Sequence, residues 1–96
     1  MRTIALGSRT TTGVGTAVAP FDKFVLGDSK VGVFQATFTS SGTAKLEGRL
    51  NGASGYTEVA SITNADTSQA RVVALMPDMR LSVTAVSGTV AGFLGV

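Results

Sequence analysis

The side chains that could move a proton in this 96-residue chain are six carboxylates and three lysines, because histidine and cysteine are absent. The carboxylates are Asp22, Asp28, Glu47, Glu58, Asp66 and Asp78. Acid–base work on a glycoside needs two carboxylates at a fixed separation. Calcium needs several in one loop. The sequence shows neither pattern. Asp28 and Asp66 fall in turn clusters, where a short carboxylate accepts hydrogen bonds from backbone amides. Glu47 lies between Lys45 and Arg49 and is expected to face Arg71 or Arg80 across a sheet. Glu58 and Asp78 have no companion legible in the sequence. A serine or threonine nucleophile needs a base beside it, and Lys30 and Lys45 stand in turn-rich or alternating contexts that read as solvated. Without cysteine there is no thiolate metal site and no disulfide framework. The expectation is a protein with no enzymatic activity, no cofactor and no metal.

Two weaker signals point the same way. Gly13-Val14-Gly15 begins like a phosphate-binding loop, but no third glycine and no helix follow it. It reads as extended backbone. The eight basic residues are scattered from Arg2 to Arg80 against six acidic ones, for a net charge of +2. A nucleic-acid interface concentrates such charge on one face, so no nucleic-acid partner is expected. No apolar run approaches the ~20 residues of a membrane helix, and no membrane partner is expected either.

The elements that carry these residues are strands. Twelve glycines and many threonines and valines disfavour helix, and no window repeats apolar residues at helical spacing. Ala44, Leu46, Gly48 and Leu50 alternate with Lys45, Glu47 and Arg49, the period of a half-buried strand. An extended segment is expected over residues 14–20 and strands over 23–26, 31–39, 43–51, 56–62, 69–75, 79–86 and 89–96, with turns over 27–30, 40–42, 51–55 and 64–68. Ser87-Gly88 reads as a tight hairpin turn, and Pro77 breaks a ladder because it has no N–H to donate. Phe34, Ala36 and Phe38 take one face of their strand. Met79, Leu81, Val83 and Ala85 point inward, and Leu46 and Leu50 join them in one core. The fold class is all-β: a single antiparallel β-sandwich or jelly-roll-like barrel of about seven or eight short strands. Residues 1–20, poor in large side chains, form an N-terminal arm or peripheral strand, and residues 21–96 form the β-sandwich domain.

Charged residues make up 15% of the chain, against about 25% in an ordinary soluble domain. A small domain has much surface, so this scarcity points to a surface that meets protein rather than water. The last strand carries Val90, Gly92, Leu94 and Val96 on one phase and Phe93 on the other, so both of its faces are apolar. One of them is either fully buried or meets another chain. Arg2, Arg9, Val14, Phe93 and Val96 are therefore the candidate residues for an interface with a partner or a second copy. Tyr56, after a glycine turn, is the one ring whose position suits stacking on a sugar.

Two stretches resemble small structural proteins of tailed bacteriophages. Residues 46–52, Leu-Glu-Gly-Arg-Leu-Asn-Gly, followed by Tyr56-Thr57-Glu58-Val59, are similar to their strand–turn–aromatic hairpin. Residues 77–85, followed by Ser87-Gly88-Thr89-Val90, are similar to their arginine-bearing strand and closing hairpin. Tyr56 stands where tryptophan is common, and Asp78 where an aromatic is common. The resemblance implies a β-sandwich virion protein made in the host cytoplasm. Its implied role is that of a capsid decoration (cement) protein, often a trimer, that binds the major capsid protein at capsomer junctions. A head–tail or tail component and a carbohydrate-binding module are the alternatives.

Overall fold

The computed structural model describes residues 2–20, 31–50 and 55–96. The strand expected over 23–26, the turn over 27–30 and most of the turn over 51–55 lie outside them, as do Phe21, Asp22, Lys23, Phe24, Asp28 and Lys30. The described chain folds into eight strands and no helix: β1 (Thr3–Arg9), β2 (Gly13–Val14), β3 (Val31–Phe38), β4 (Ser41–Arg49), β5 (Thr57–Thr63), β6 (Ala70–Ala74), β7 (Asp78–Ser87) and β8 (Val90–Gly95). They form two four-stranded sheets, ordered β1-β8-β3-β6 and β2-β7-β4-β5. Every pairing is antiparallel, and β1 pairs β8, β2 pairs β7, β3 pairs β6 and β4 pairs β5. Nested pairing of this kind is one long hairpin rolled over on itself, the order of a jelly-roll sandwich. The expected fold class is the observed one.

The period-two pattern places the core. Phe34 and Ala36 of β3, Ala44 and Leu46 of β4, Ile62 of β5, Met79, Leu81 and Val83 of β7, and Val90 and Leu94 of β8 are all buried between the sheets. Phe38 packs against them at the end of β3. Small inward positions let the layers close. An added Cβ on Gly92 of β8 would stand 2.9 Å from Leu81 Cδ1 of the facing sheet, and one on Gly42 of β4 would stand 2.7 Å from Val90 Cγ2. Leu81 and Val90 thus project into notches that glycine leaves.

Three expectations fail, each for a backbone reason. Ala85, expected inward, is exposed, and Val86 packs on the core instead. Thr43 faces Ala85 but Ala44 faces Val83, so Thr84 is an extra residue in β7. A bulge of one residue inverts the alternation beyond it. Leu50, expected in the core, is 69% exposed. The β4–β7 ladder ends at Arg49 opposite Asp78, immediately after Pro77, so Leu50 lies past the paired region. Ser87-Gly88 makes no hairpin within a sheet, because β7 and β8 belong to opposite layers. Gly88, at φ 81°, instead arches the chain from one sheet to the other. Thr39 supports that arch: its N–H donates to Thr89 O at 3.0 Å, and its Oγ1 accepts from Thr89 N–H at 2.8 Å.

The N-terminal segment runs along both sheet edges on one side of the sandwich. β1 pairs with β8 from Thr3 to Arg9, with a bulge at Leu6 where Gly7 takes φ 101°. Alternation from Ile4 points the Leu6 side chain into the core, and the bulge shifts the register of the residues beyond it. The chain then crosses to the other layer. Gly15 N–H donates to Leu81 O, and Val18 exchanges both backbone bonds with Met79, all at 2.8–2.9 Å.

Three stability measurements check this packing. Leu46→Ala empties a fully buried site and is expected to cost about 2–5 kcal/mol in urea titration, whereas Leu50→Ala stays within about 0.5 kcal/mol of wild type. Gly32→Ala, whose Cβ would stand 2.3 Å from the backbone oxygen of Gly95, is expected to be strongly destabilising, while Gly55→Ala, with nothing within 4 Å, is tolerated. Removal of residues 1–12 strips β1 and is expected to lower the midpoint of unfolding, because Leu6 leaves the core.

Candidate interaction surfaces

The two outer faces of the sandwich differ in kind. On the β2-β7-β4-β5 sheet, alternation puts Lys45, Glu47 and Arg49 of β4 outward. In register they lie opposite Ser82, Arg80 and Asp78 of β7, and Glu47 lies opposite Glu58 of β5. Three ion pairs result. Arg80 Nε donates to Glu47 Oε1 at 2.8 Å, Arg49 Nε to Asp78 Oδ2 at 3.3 Å, and Lys45 Nζ lies 3.0 Å from Glu58 Oε1. The Tyr56 ring caps this ladder, with the Arg80 guanidinium carbon 3.7 Å and the Arg49 one 4.4 Å from its centroid. A planar cation over a ring face adds attraction to each pair.

Of the two partners expected for Glu47, the structure selects Arg80. Arg71 lies in the other sheet, where Nη2 donates to Asp66 Oδ2 at 3.0 Å. Asp66 also accepts from Thr63 N–H at 2.9 Å, the backbone-capping role its turn position implied. Glu58 and Asp78, which showed no companion in the sequence, each have one, and Lys45 is paired rather than merely solvated. Those partners are set by cross-strand register, which one sequence does not display.

The opposite outer face, on the β1-β8-β3-β6 sheet, has no charged side chain among the described residues. Its rows follow from register. Thr3, Gly95, Val33 and Val72 lie side by side; Ala5, Phe93, Gln35 and Ala70 form the next row; Ser8, Ala91 and Thr37 the third. Val31 and Ala74 extend the face at the other end. Val72 is 77% exposed and Val31 62% exposed, and Phe93 lies half-buried beside them. A depression of about 100 Å³ beside Phe93 is lined by Thr3, Val33, Gln35 and Gly95. Phe93 therefore sits near the middle of an uncharged sheet face and outside the core.

The other interface candidates lie at the ends of β1. Arg2 is exposed and exchanges backbone bonds with Val96 at 2.8 Å, while the Val96 side chain packs against the core. Arg9 spans the gap between the layers. Its Nη1 donates to Val14 O at 3.0 Å and its Nε to Thr11 O at 3.3 Å. Val14 is 44% exposed on the edge strand β2. A groove of about 320 Å³ runs between β1 and residues 15–18, lined by Leu6, Arg9, Gly15 and Val18 among others. The five residues thus fall in three places: Arg2 with Val96, Arg9 with Val14, and Phe93 alone on the face.

Among the described residues, the four carboxylates are all ion-paired and no three acidic residues gather as a metal cluster. No buried side-chain nitrogen or oxygen among these residues lacks a hydrogen bond. No helix among these residues is long and apolar enough to cross a membrane.

The charged face has its own test. Tyr56→Ala removes the ring from both guanidinium groups and is expected to cost about 1–2 kcal/mol, whereas Tyr56→Phe keeps the ring and costs under about 0.5 kcal/mol. A double-mutant cycle on Glu47 and Arg80 is expected to give a coupling of about 0.5–1 kcal/mol that shrinks in high salt. Compared with known proteins, the chain matches no family model, no curated protein and no solved structure.

Proposed function

We propose that this protein is a virion structural protein without catalytic activity. In this reading it is a capsid decoration protein that self-associates and binds the outer shell at capsomer junctions. The observation that carries the reading is the inequality of the two outer faces. One closes its charges on itself in three ion pairs, and the other presents Val31, Val33, Val72 and Phe93 with no charge among the described residues. The described carboxylates are all ion-paired, and one outer face is broad and partly apolar, which supports a contact role over a catalytic one. Such a surface suits a module whose work is contact. The resemblance of residues 46–59 and 77–90 to phage structural proteins gives that contact a setting. The jelly-roll order is common in viral capsid domains, and also in lectins and cupins, so it supports the setting only as analogy.

Shell attachment falls to the β1–β2 edge, where Arg2, Arg9 and Val14 stand. Several shallow contacts made at once by an oligomer raise avidity without a strong single contact. The carbohydrate-binding alternative has less support, because guanidinium groups already lie over the Tyr56 ring.

The test is co-sedimentation with expanded capsids stripped of accessory proteins. Saturable binding at a fixed ratio to capsomers, with greater resistance of the particle to heat or low salt, is the expected result. Arg2→Glu is expected to weaken binding by about 2–10-fold, the scale of one or two exposed ion pairs. No binding at tens of micromolar, with tail or connector assemblies binding instead, would move the protein to the head–tail junction.

A further inference from the structure

We infer that Met76 is an oxidation site that governs one end of the sandwich. Hydrogen peroxide converts its thioether to the sulfoxide, and the sulfoxide unseats the chain that closes the core beside Pro77. The inference goes beyond the proposed function and holds whatever the molecule binds.

The closure is built from two neighbouring side chains. Between β6 and β7 the chain crosses from one sheet to the other. Leu75 and Met76, at the start of the crossing, each lie on a buried glycine of a different sheet. An added Cβ on Gly32 of β3 would stand 2.9 Å from Leu75 Cδ2, and one on Gly48 of β4 would stand 2.7 Å from Met76 Sδ. Both side chains are partly buried and pack against the core. Glycine thus leaves one seat in each layer, and the crossing chain occupies both.

The two methionines at this end differ in exposure. Met76 is partly exposed, whereas Met79 is fully buried. They are neighbours: Met76 N–H donates to Met79 Sδ at 3.5 Å, and Met79 lies opposite Gly48 in the ladder. A dissolved oxidant therefore meets Met76 first. It reaches Met79 only when the crossing lifts away.

The step balances with the peroxide alone. A lone pair on Met76 Sδ attacks one peroxide oxygen. An S–O bond forms, the O–O bond breaks, and hydroxide departs. That hydroxide takes the proton from the transferred oxygen and leaves as water. The sulfur is oxidised by two electrons and the peroxide is reduced by two. A thioether is a weak acceptor that suits an apolar seat, but a sulfoxide is larger and strongly polar. Over Gly48 its oxygen either lacks a donor or turns the side chain out toward water, and both loosen the closure. Loss of the Met76 cover then opens Met79 to the same reaction, so damage at this end proceeds in order.

The full-length protein is treated with hydrogen peroxide, and each methionine is followed by peptide-mapping mass spectrometry. Met76 is expected to oxidise at least ~10-fold faster than Met79. Protein oxidised at Met76 is expected to melt about 4–8 °C lower. Met76→Leu, close to methionine in volume, is expected to keep its melting temperature through peroxide treatment and to oxidise Met79 more slowly than wild type. It retains Met1 and Met79, so any loss arising at those residues persists in it. Met79 keeping pace with Met76 in the folded protein overturns the inference. So does an unchanged melting temperature after Met76 is oxidised, or a loss of equal size in Met76→Leu.

Discussion

The structure depends on how closely its two sheets approach. Leu81 of β7 projects toward Gly92 of β8, and Val90 of β8 projects toward Gly42 of β4, with room for no more than a hydrogen at either glycine. These contacts run in opposite senses, one residue of each layer entering the other. They hold the layers at a fixed separation and keep them from sliding. A chain of this length has few large side chains with which to fill a core, and Phe34 is the only fully buried aromatic among the described residues. Close approach replaces bulk: small inward residues let the remaining leucines and valines reach across and keep interior density. The rolled-hairpin topology supplies the pairing, but the notches make two stacked sheets one core.

Once the layers are locked, alternation has to sort every other side chain to an outer face, and the two faces receive very different sets. On β4 the outward positions are Lys45, Glu47 and Arg49; on β3 they are Val31, Val33, Gln35 and Thr37. β4 and β7 are neighbours in one sheet, and β3 and β8 in the other. Outward-facing charge is therefore grouped in one layer, and among the described residues the outward positions of the other layer carry none. Grouping lets acids and bases find each other across strands, which keeps each charge solvated and paired at modest cost. Among the described residues, it also leaves the other layer with threonine, serine, glutamine, glycine, alanine, valine and one phenylalanine to face outward. Surface polarity here is a property of the sheet, set by which strands pair.

That is why the sequence discloses the fold better than the surfaces. Strand positions and the buried set around Phe34, Leu46, Leu81 and Val83 follow from period-two alternation, which is local. The failures at Ala85 and Leu50 come from events that depend on a partner strand: an extra residue at Thr84 and a ladder that stops at Arg49. The arch at Gly88 looks like a hairpin in sequence because glycine at positive φ serves both. Salt-bridge partners were half legible, since Glu47 needed a basic residue opposite, but only register selects Arg80 over Arg71. Phe93 was visible as an apolar residue out of phase. That its neighbours are Val33, Gln35 and Ala5, and so form an uncharged field, required the order β1-β8-β3.

The edges of both sheets are built against strand addition. An open sheet edge invites another strand to add to it. Here each edge is blunted. β1 is kinked by the Leu6 bulge, and β5 has a register break between Leu46 and Glu47 of its partner. β2 is two residues long, and β6 is five. The gaps between layers are also bridged by arginine: Arg9 reaches from β1 to Val14 O of β2, and Arg71 on β6 holds Asp66 beyond the end of β5. Strand addition, which propagates without limit, is thus disfavoured on all four edges. Among the described residues, the outward positions without charge are gathered on one face, and these blunted edges keep strand addition from exploiting it.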